Sequence, residues 1–106
     1  MAKFLISWRV NPMMMPHDPV EHVKLNEKMW ATIDNMMKTG EIREEGFFLD
    51  GTSGYTLVEG EPAGILKVSA SFRPFVDSEV HEIVPYETGK EVVRGILKAR
   101  TEAMKK

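Results

Sequence analysis

No cysteine occurs in the 106 residues. That absence removes disulfides, thiol catalysis and thiolate metal sites, and it fits a cytoplasmic protein. Neither sign of charge dominates: 14 lysines and arginines stand against 16 aspartates and glutamates, for a formal net charge of −2. Without a basic face, binding to nucleic acid is not expected. Long apolar runs are missing too. The opening residues M-A-K-F-L-I-S-W-R-V hold too brief a run for a signal peptide or a membrane span, so no membrane partner is expected. No repeat, linker or low-complexity segment appears. A chain of this length has room for a single domain, 1–106, around one core, with a margin thin enough for a partner subunit to matter.

What is present is organised around Asp18 to Gly40, D-P-V-E-H-V-K-L-N-E-K-M-W-A-T-I-D-N-M-M-K-T-G. Asp18 suits an N-cap, Pro19 the first helical position, Glu21 a capping box and Gly40 a left-handed C-cap. At about 100° per residue, Val23, Leu25, Met29, Trp30, Ile33, Met36 and Met37 fall on one half of this helix. Two polar residues, His22 and Asn26, lie inside that apolar half. An unpaired buried amide or imidazole costs about 1–3 kcal/mol, so each needs a partner. Two readings stay open: a satisfied pair in the core, or the lining of a pocket.

Along the rest of the chain, Lys3 to Val10 alternates as a strand, with Phe4, Ile6, Trp8 and Val10 on one face. The loop M-M-M-P-H-D-P follows. A Cu(I) site of its methionines with His17 is conceivable, but adjacent methionines cannot all face one ion; an apolar flap over the domain is the better reading. Ile42 to Asp50 and Gly54 to Glu59 form a hairpin around D-G-T-S-G. Glu44 and Glu45 are adjacent on a strand and so point opposite ways, which reads as an exposed edge rather than a catalytic pair. Gly60 to Phe75 fits both periods: Leu66, Val68, Ala70 and Phe72 alternate, while Ile65, Val68, Phe72 and Phe75 form a helical stripe. Ser78 to Val84 is a fourth strand. Thr88 with Glu91 forms a second capping box, opening a helix of about 88–105.

With the ambiguous stretch taken as helix, the expected fold is α+β: a ferredoxin-like β-α-β-β-α-β order, an antiparallel four-stranded sheet and an extra C-terminal helix. All four strands carry apolar residues on both faces. A second copy of the chain is the simplest cover for the face that the helices leave open, so a homodimer or larger homo-oligomer with sheets packed face to face is expected.

F-L-I-S-W-R-V-N at 4–11, K-L-N-E-K at 24–28 and R-P-F-V-D-S-E-V at 73–80 together resemble the dimeric α+β-barrel superfamily, and within it muconolactone isomerase and its small relatives. In the isomerase pattern an arginine precedes the Glu-Lys pair, where Asn26 stands here. The resemblance implies a dimeric α+β barrel, a cofactor-free proton shift beside a carbonyl, and roles for Lys24 and Glu27.

Read from the residues, a small-molecule site lies between the long helix and the sheet. His22 serves as base, Asn26 as donor to an enolate oxygen, and Trp8, Trp30 and Tyr55 as walls. Glu27 sits near the boundary of the apolar half, within reach of a partner's cleft. His81 is a further ligand-binding candidate on the fourth strand. No cofactor and no metal are expected, since His17, Glu21 and His22 lack a tight ligand spacing. The alternative is a non-catalytic oligomeric binding or regulatory module.

Overall fold

A computed structural model describes residues 2–105. The elements run β1 (Lys3–Val10), α1 (Pro19–Thr39), β2 (Glu44–Phe47), β3 (Ser53–Glu59), α2 (Pro62–Ala70), β4 (Val76–Ile83) and α3 (Tyr86–Met104). They build an α+β fold, with three helices and one four-stranded antiparallel sheet in the order β2-β3-β1-β4. This arrangement is compatible with a ferredoxin-like plan. Central β1 pairs with β3 on one side, Ile6 opposite Thr56, and with β4 on the other, Ile6 opposite Val80.

The ambiguous stretch is helical, and burial shows why. Ile65 and Val68, three residues apart, are both buried, whereas Leu66, which a strand would place on the face of Val68, is exposed. Helix α1 starts and stops as its residues demand. Asp18 Oδ1 accepts from the Val20 N–H at 3.0 Å, and Gly40 closes the helix at φ 84°. Glu21 forms no capping box; its carboxylate lies 3.5 Å from Lys24 Nζ instead.

The buried side of α1 is narrower than the apolar half of its wheel. His22, Leu25, Asn26, Met29 and Ile33 are half-buried and Met36 is buried, while Val23, Trp30 and Met37, spaced seven apart, form an exposed flank. The polar pair therefore sits nearer the contact than three of the apolar residues do. With β-strand Ile6 and Val58, the core gathers Met36, Ile42, Ile65 and Val68 between the helices and one face of the sheet. Full burial of such side chains stabilises by about 1.5–3 kcal/mol each.

Strand β2 is shorter than its sequence suggests. Phe48 keeps one bond to β3, its N–H donating to the Ser53 carbonyl at 2.8 Å, but it and Leu49 lie beyond the strand and are exposed where Asp50 turns the chain: its Oδ1 accepts from the Thr52 N–H at 2.9 Å, the Ser53 N–H at 3.1 Å and the Ser53 hydroxyl at 2.9 Å. Helix α3 begins at Tyr86 rather than at Thr88. Pro85 occupies the cap and offers no side-chain hydrogen bond, so Thr88 falls inside the first turn and the expected Thr88–Glu91 box does not form. Glu91 accepts from Arg94 at 2.7 Å instead.

None of the residues of α3 is buried, although Val92, Val93, Ile96, Leu97 and Met104 run along it. The chain measures 68 × 29 × 23 Å, with a radius of gyration of 18.8 Å. A compact domain of this length has about 13 Å. No helix among the described residues is long and apolar enough to cross a membrane.

Candidate functional site

The register of the sheet decides which side chains meet under the helices. On that face, Glu45 of β2 lies opposite Thr56, and Thr56 opposite Ile6. In the next row, Phe47 lies opposite Gly54, Gly54 opposite Trp8, and Trp8 opposite Ser78. Above these rows run α1, α2 and the Met15 loop, and between them a cleft of about 890 Å³ opens. That volume lies within the range of small-molecule sites, roughly 300–1,000 Å³.

Apolar walls come from Ile6, Val10, Met29, Ile33, Val68 and Phe72. Met15 is buried at the mouth with Pro16 and His17 beside it, while Met13 and Met14 face solvent. Of the three methionines of this loop, Met15 lines the cleft. Among the described residues, no cluster of three His, Asp or Glu side chains is arranged to hold a metal ion.

Trp8 is positioned by what Gly54 lacks. A β-carbon at Gly54 would collide with the indole, so only hydrogen there lets the ring lie across β3. Phe47 meets the ring edge-on, with centroids 5.6 Å apart. The indole Nε1 is buried without a hydrogen-bond partner, as is the Ser78 hydroxyl.

Glu45 points into the same cleft. Its carboxylate accepts a 2.5 Å hydrogen bond from the Thr56 hydroxyl. Burial pushes the Glu45 carboxyl above its ordinary range, against the Thr56 hydroxyl and the nearby Trp8 indole, which favour the ionised form. The indole N–H lies near the carboxylate without completing a hydrogen bond to it. A carboxylate of raised proton affinity in an apolar cleft, flanked by N–H and O–H donors, is suited to taking and returning a proton.

His22, Asn26, Trp8 and Trp30 all line this cleft. His22 and Asn26 are half-buried and Trp30 exposes an edge, so the long helix and the sheet bring together four of the residues expected there. The other three lie elsewhere. Glu27 is exposed on α1 and outside the lining, with Lys24 equally exposed. Tyr55 stands on the opposite face of the sheet, over Gly46, and its hydroxyl donates to Glu44. His81 is on that same face, exposed, 3.4 Å from Glu79. An even number of residues separates neither Tyr55 nor His81 from the cleft-facing positions of its own strand, so the pleat turns both away.

Glu45, Thr56, Ser78 and Gly54 were not among the expected site residues. For Glu45 a signal existed: it lies two residues from Phe47 and shares its face. Glu44 is the exposed partner of that pair and Glu45 the inward one. No protein-family model matches the chain, and no curated protein shows significant similarity to it.

Proposed function

We propose that the protein binds a small organic molecule in the cleft between α1 and the sheet, and moves a proton on it without a cofactor. The observation that carries this reading is Glu45, a carboxylate drawn into an apolar cavity and biased toward holding a proton. Glu45 is the proton acceptor, with Asn26 and His22 as polar contacts on the helix side. The chemistry is of the kind implied by the muconolactone isomerase resemblance, a proton shift beside a carbonyl, but with Glu45 in place of Glu27. A screen of uncharged two-ring compounds by ligand-observed NMR tests it. Binding that is lost when Ile33→Trp fills the cavity supports the reading; a screen with no binder, or binders indifferent to Ile33→Trp, sinks it.

The working form in this proposal is a cytoplasmic homodimer of ferredoxin-like subunits, a dimeric α+β barrel. Accessible surface supports the association. The chain exposes 7845 Å², some 1,800 Å² above the roughly 6,000 Å² of a compact protein of this mass. That excess matches what each subunit of a large, stable homodimer buries. Helix α3 supplies much of it. Gly89 and Gly95 inside the helix each cost about 1 kcal/mol relative to alanine, and Val92, Val93 and Ile96 are modest helix formers. Such a segment holds its helix by packing, yet none of its residues is buried in its own subunit. The second copy is the occupant proposed for its apolar stripe.

A further inference from the structure

Two helices of this chain expose an apolar band, and each band alternates with charge of one sign. On α1, Val23, Glu27, Trp30, Asp34 and Met37 fall within about 80° of one another on the helical wheel. Val23 is 60% exposed, Trp30 44% and Met37 43%, with Glu27 and Asp34 exposed between them. Lys24 and Lys28 lie outside this band, and only Lys38 borders it. On α3, Tyr86, Lys90, Val93, Leu97, Arg100 and Met104 fill a band of about the same width. Its four apolar members are all more than half exposed. The acids of α3, Glu87, Glu91 and Glu102, project from the other side. One band therefore carries two carboxylates and the other two cations.

Neither band finds its counterpart within the subunit. Glu27, Asp34 and Arg100 make no ion pair among the described residues, and Lys90 meets only its neighbour Glu87, at 3.0 Å. No residue of α3 is buried. With 21 and 19 residues, α1 and α3 are each about 30 Å long, so one can lie along most of the other. A two-fold axis would make this contact twice, α3 of each copy on α1 of the other. In both contacts apolar residues meet apolar residues, and cations meet carboxylates. Apolar area would suit many partners; the opposite signs select a second copy of this chain.

The α1 band is also part of the cleft. Trp30, Asp34 and Met37 stand among its lining residues, and no lysine or arginine does. Resting on the dimer reading above, we propose that α3 of each subunit packs along the Val23–Trp30–Met37 flank of α1 in the other and closes the mouth of its cleft. Trp30 and Met37 are then covered, and Arg100 of the partner subunit brings to the rim the cation that the lining lacks. Each cleft is complete only in the assembled pair.

Charge reversal in two separate chains tests the docking. One variant carries Glu27→Lys with Asp34→Lys, the other Lys90→Glu with Arg100→Glu. Either homodimer then sets like charges together in both contacts. A one-to-one mixture makes both contacts complementary again. By analytical ultracentrifugation each variant alone is expected to dissociate roughly tenfold or more above wild type, and the mixture to regain wild-type association. Variants that associate as wild type does, or a mixture that stays dissociated, overturn the docking site and leave a dimer made by other surfaces. A monomeric wild type overturns the dimer reading and the docking together. A second measurement needs no variant to fold. As the wild-type dimer is diluted into monomers, acrylamide quenching of tryptophan fluorescence is expected to rise as Trp30 is uncovered; unchanged quenching overturns the covering of α1. None of these readouts involves a ligand, so loss of the cleft reading would leave them unchanged.

Discussion

A β-carbon on Gly54 would lie 2.4 Å from Cζ2 of Trp8 and 2.1 Å from the carbonyl oxygen of Gly46. The absence of one methyl group on β3 thus lets β2 approach and lets the indole settle over the sheet, which in turn aims its N–H toward Glu45. Gly54→Ala is expected to destabilise the protein by about 3 kcal/mol, the upper range for overpacking a well-filled site. Gly64→Ala is the control. It lies inside α2 with open space around its would-be β-carbon, and is expected to stabilise by about 0.5–1 kcal/mol. Urea denaturation of both variants, with tryptophan fluorescence as a second readout for Gly54→Ala, checks the pair.

Glu45 sets one slope of stability against pH. Burial raises its carboxyl in the folded state, so between the ordinary carboxylate range and that raised value the folded chain holds more protons than the unfolded one. Its contribution is therefore fully present in acid and is lost as pH rises through the folded value. Glu45→Gln removes this slope. Melting temperature of the variant relative to wild type is expected to be higher at neutral pH than at acid pH, and a flat difference across that range contradicts the assignment.

Asp50 acts in the opposite direction. The Thr52 N–H and the Ser53 hydroxyl hold its carboxyl below the ordinary range, with the Ser53 N–H and Arg9 adding to the effect. This stability is present above the unfolded value and is lost as pH falls through the lowered one. Asp50→Asn is expected to lower the melting temperature at neutral pH, with the gap closing in strong acid. Thermal melts at the two ends of that range test it.

Ile42 joins the end of α1 to the core: it is 2% exposed, and its N–H donates to the Met36 carbonyl at 3.1 Å. Ile42→Ala is expected to cost about 3 kcal/mol, from lost transfer energy and the cavity left behind. Chemical denaturation gives the number directly.

Val93 and Leu97 stand one turn apart on the exposed stripe of α3. Val93→Glu with Leu97→Glu is expected to convert a dimer into a monomer and to reduce helical circular dichroism by the contribution of α3. Light scattering after gel filtration measures the first effect. A wild-type chain that is already monomeric at micromolar concentration would refute the role given to this helix.

Much of this was legible from single segments. The helix from Pro19 announced itself through Asp18, Pro19 and Gly40, each of which satisfies a local backbone requirement without help from elsewhere. The angle of His22 and Asn26 on the same helix placed them toward the sheet and left a core pair and a pocket lining both open; their half-buried position along the cleft came from the tertiary structure. The choice of helix for Pro62–Ala70 needed the neighbouring elements, since its pattern suited two periods at once. The capping boxes at Glu21 and Thr88 were misjudged because a matching spacing does not force a side chain to reach back: Glu21 found Lys24, and Pro85 started α3 early.

Local chemistry and periodicity therefore determined the long helix and its caps and the alternation of the strands, because each depends on residues within one or two turns; the helix type of Pro62–Ala70 and the narrow buried side of α1, with Val23, Trp30 and Met37 exposed, were decided by packing. Tertiary structure alone decided the rest of the site. Tyr55 and His81 face away from the cleft, while Glu45 turns inward beside an indole that it meets from another strand. Those outcomes depend on strand register, and register is set by the packing of the whole sheet against its helices. A shift of one residue would exchange the two faces and leave every local pattern unchanged.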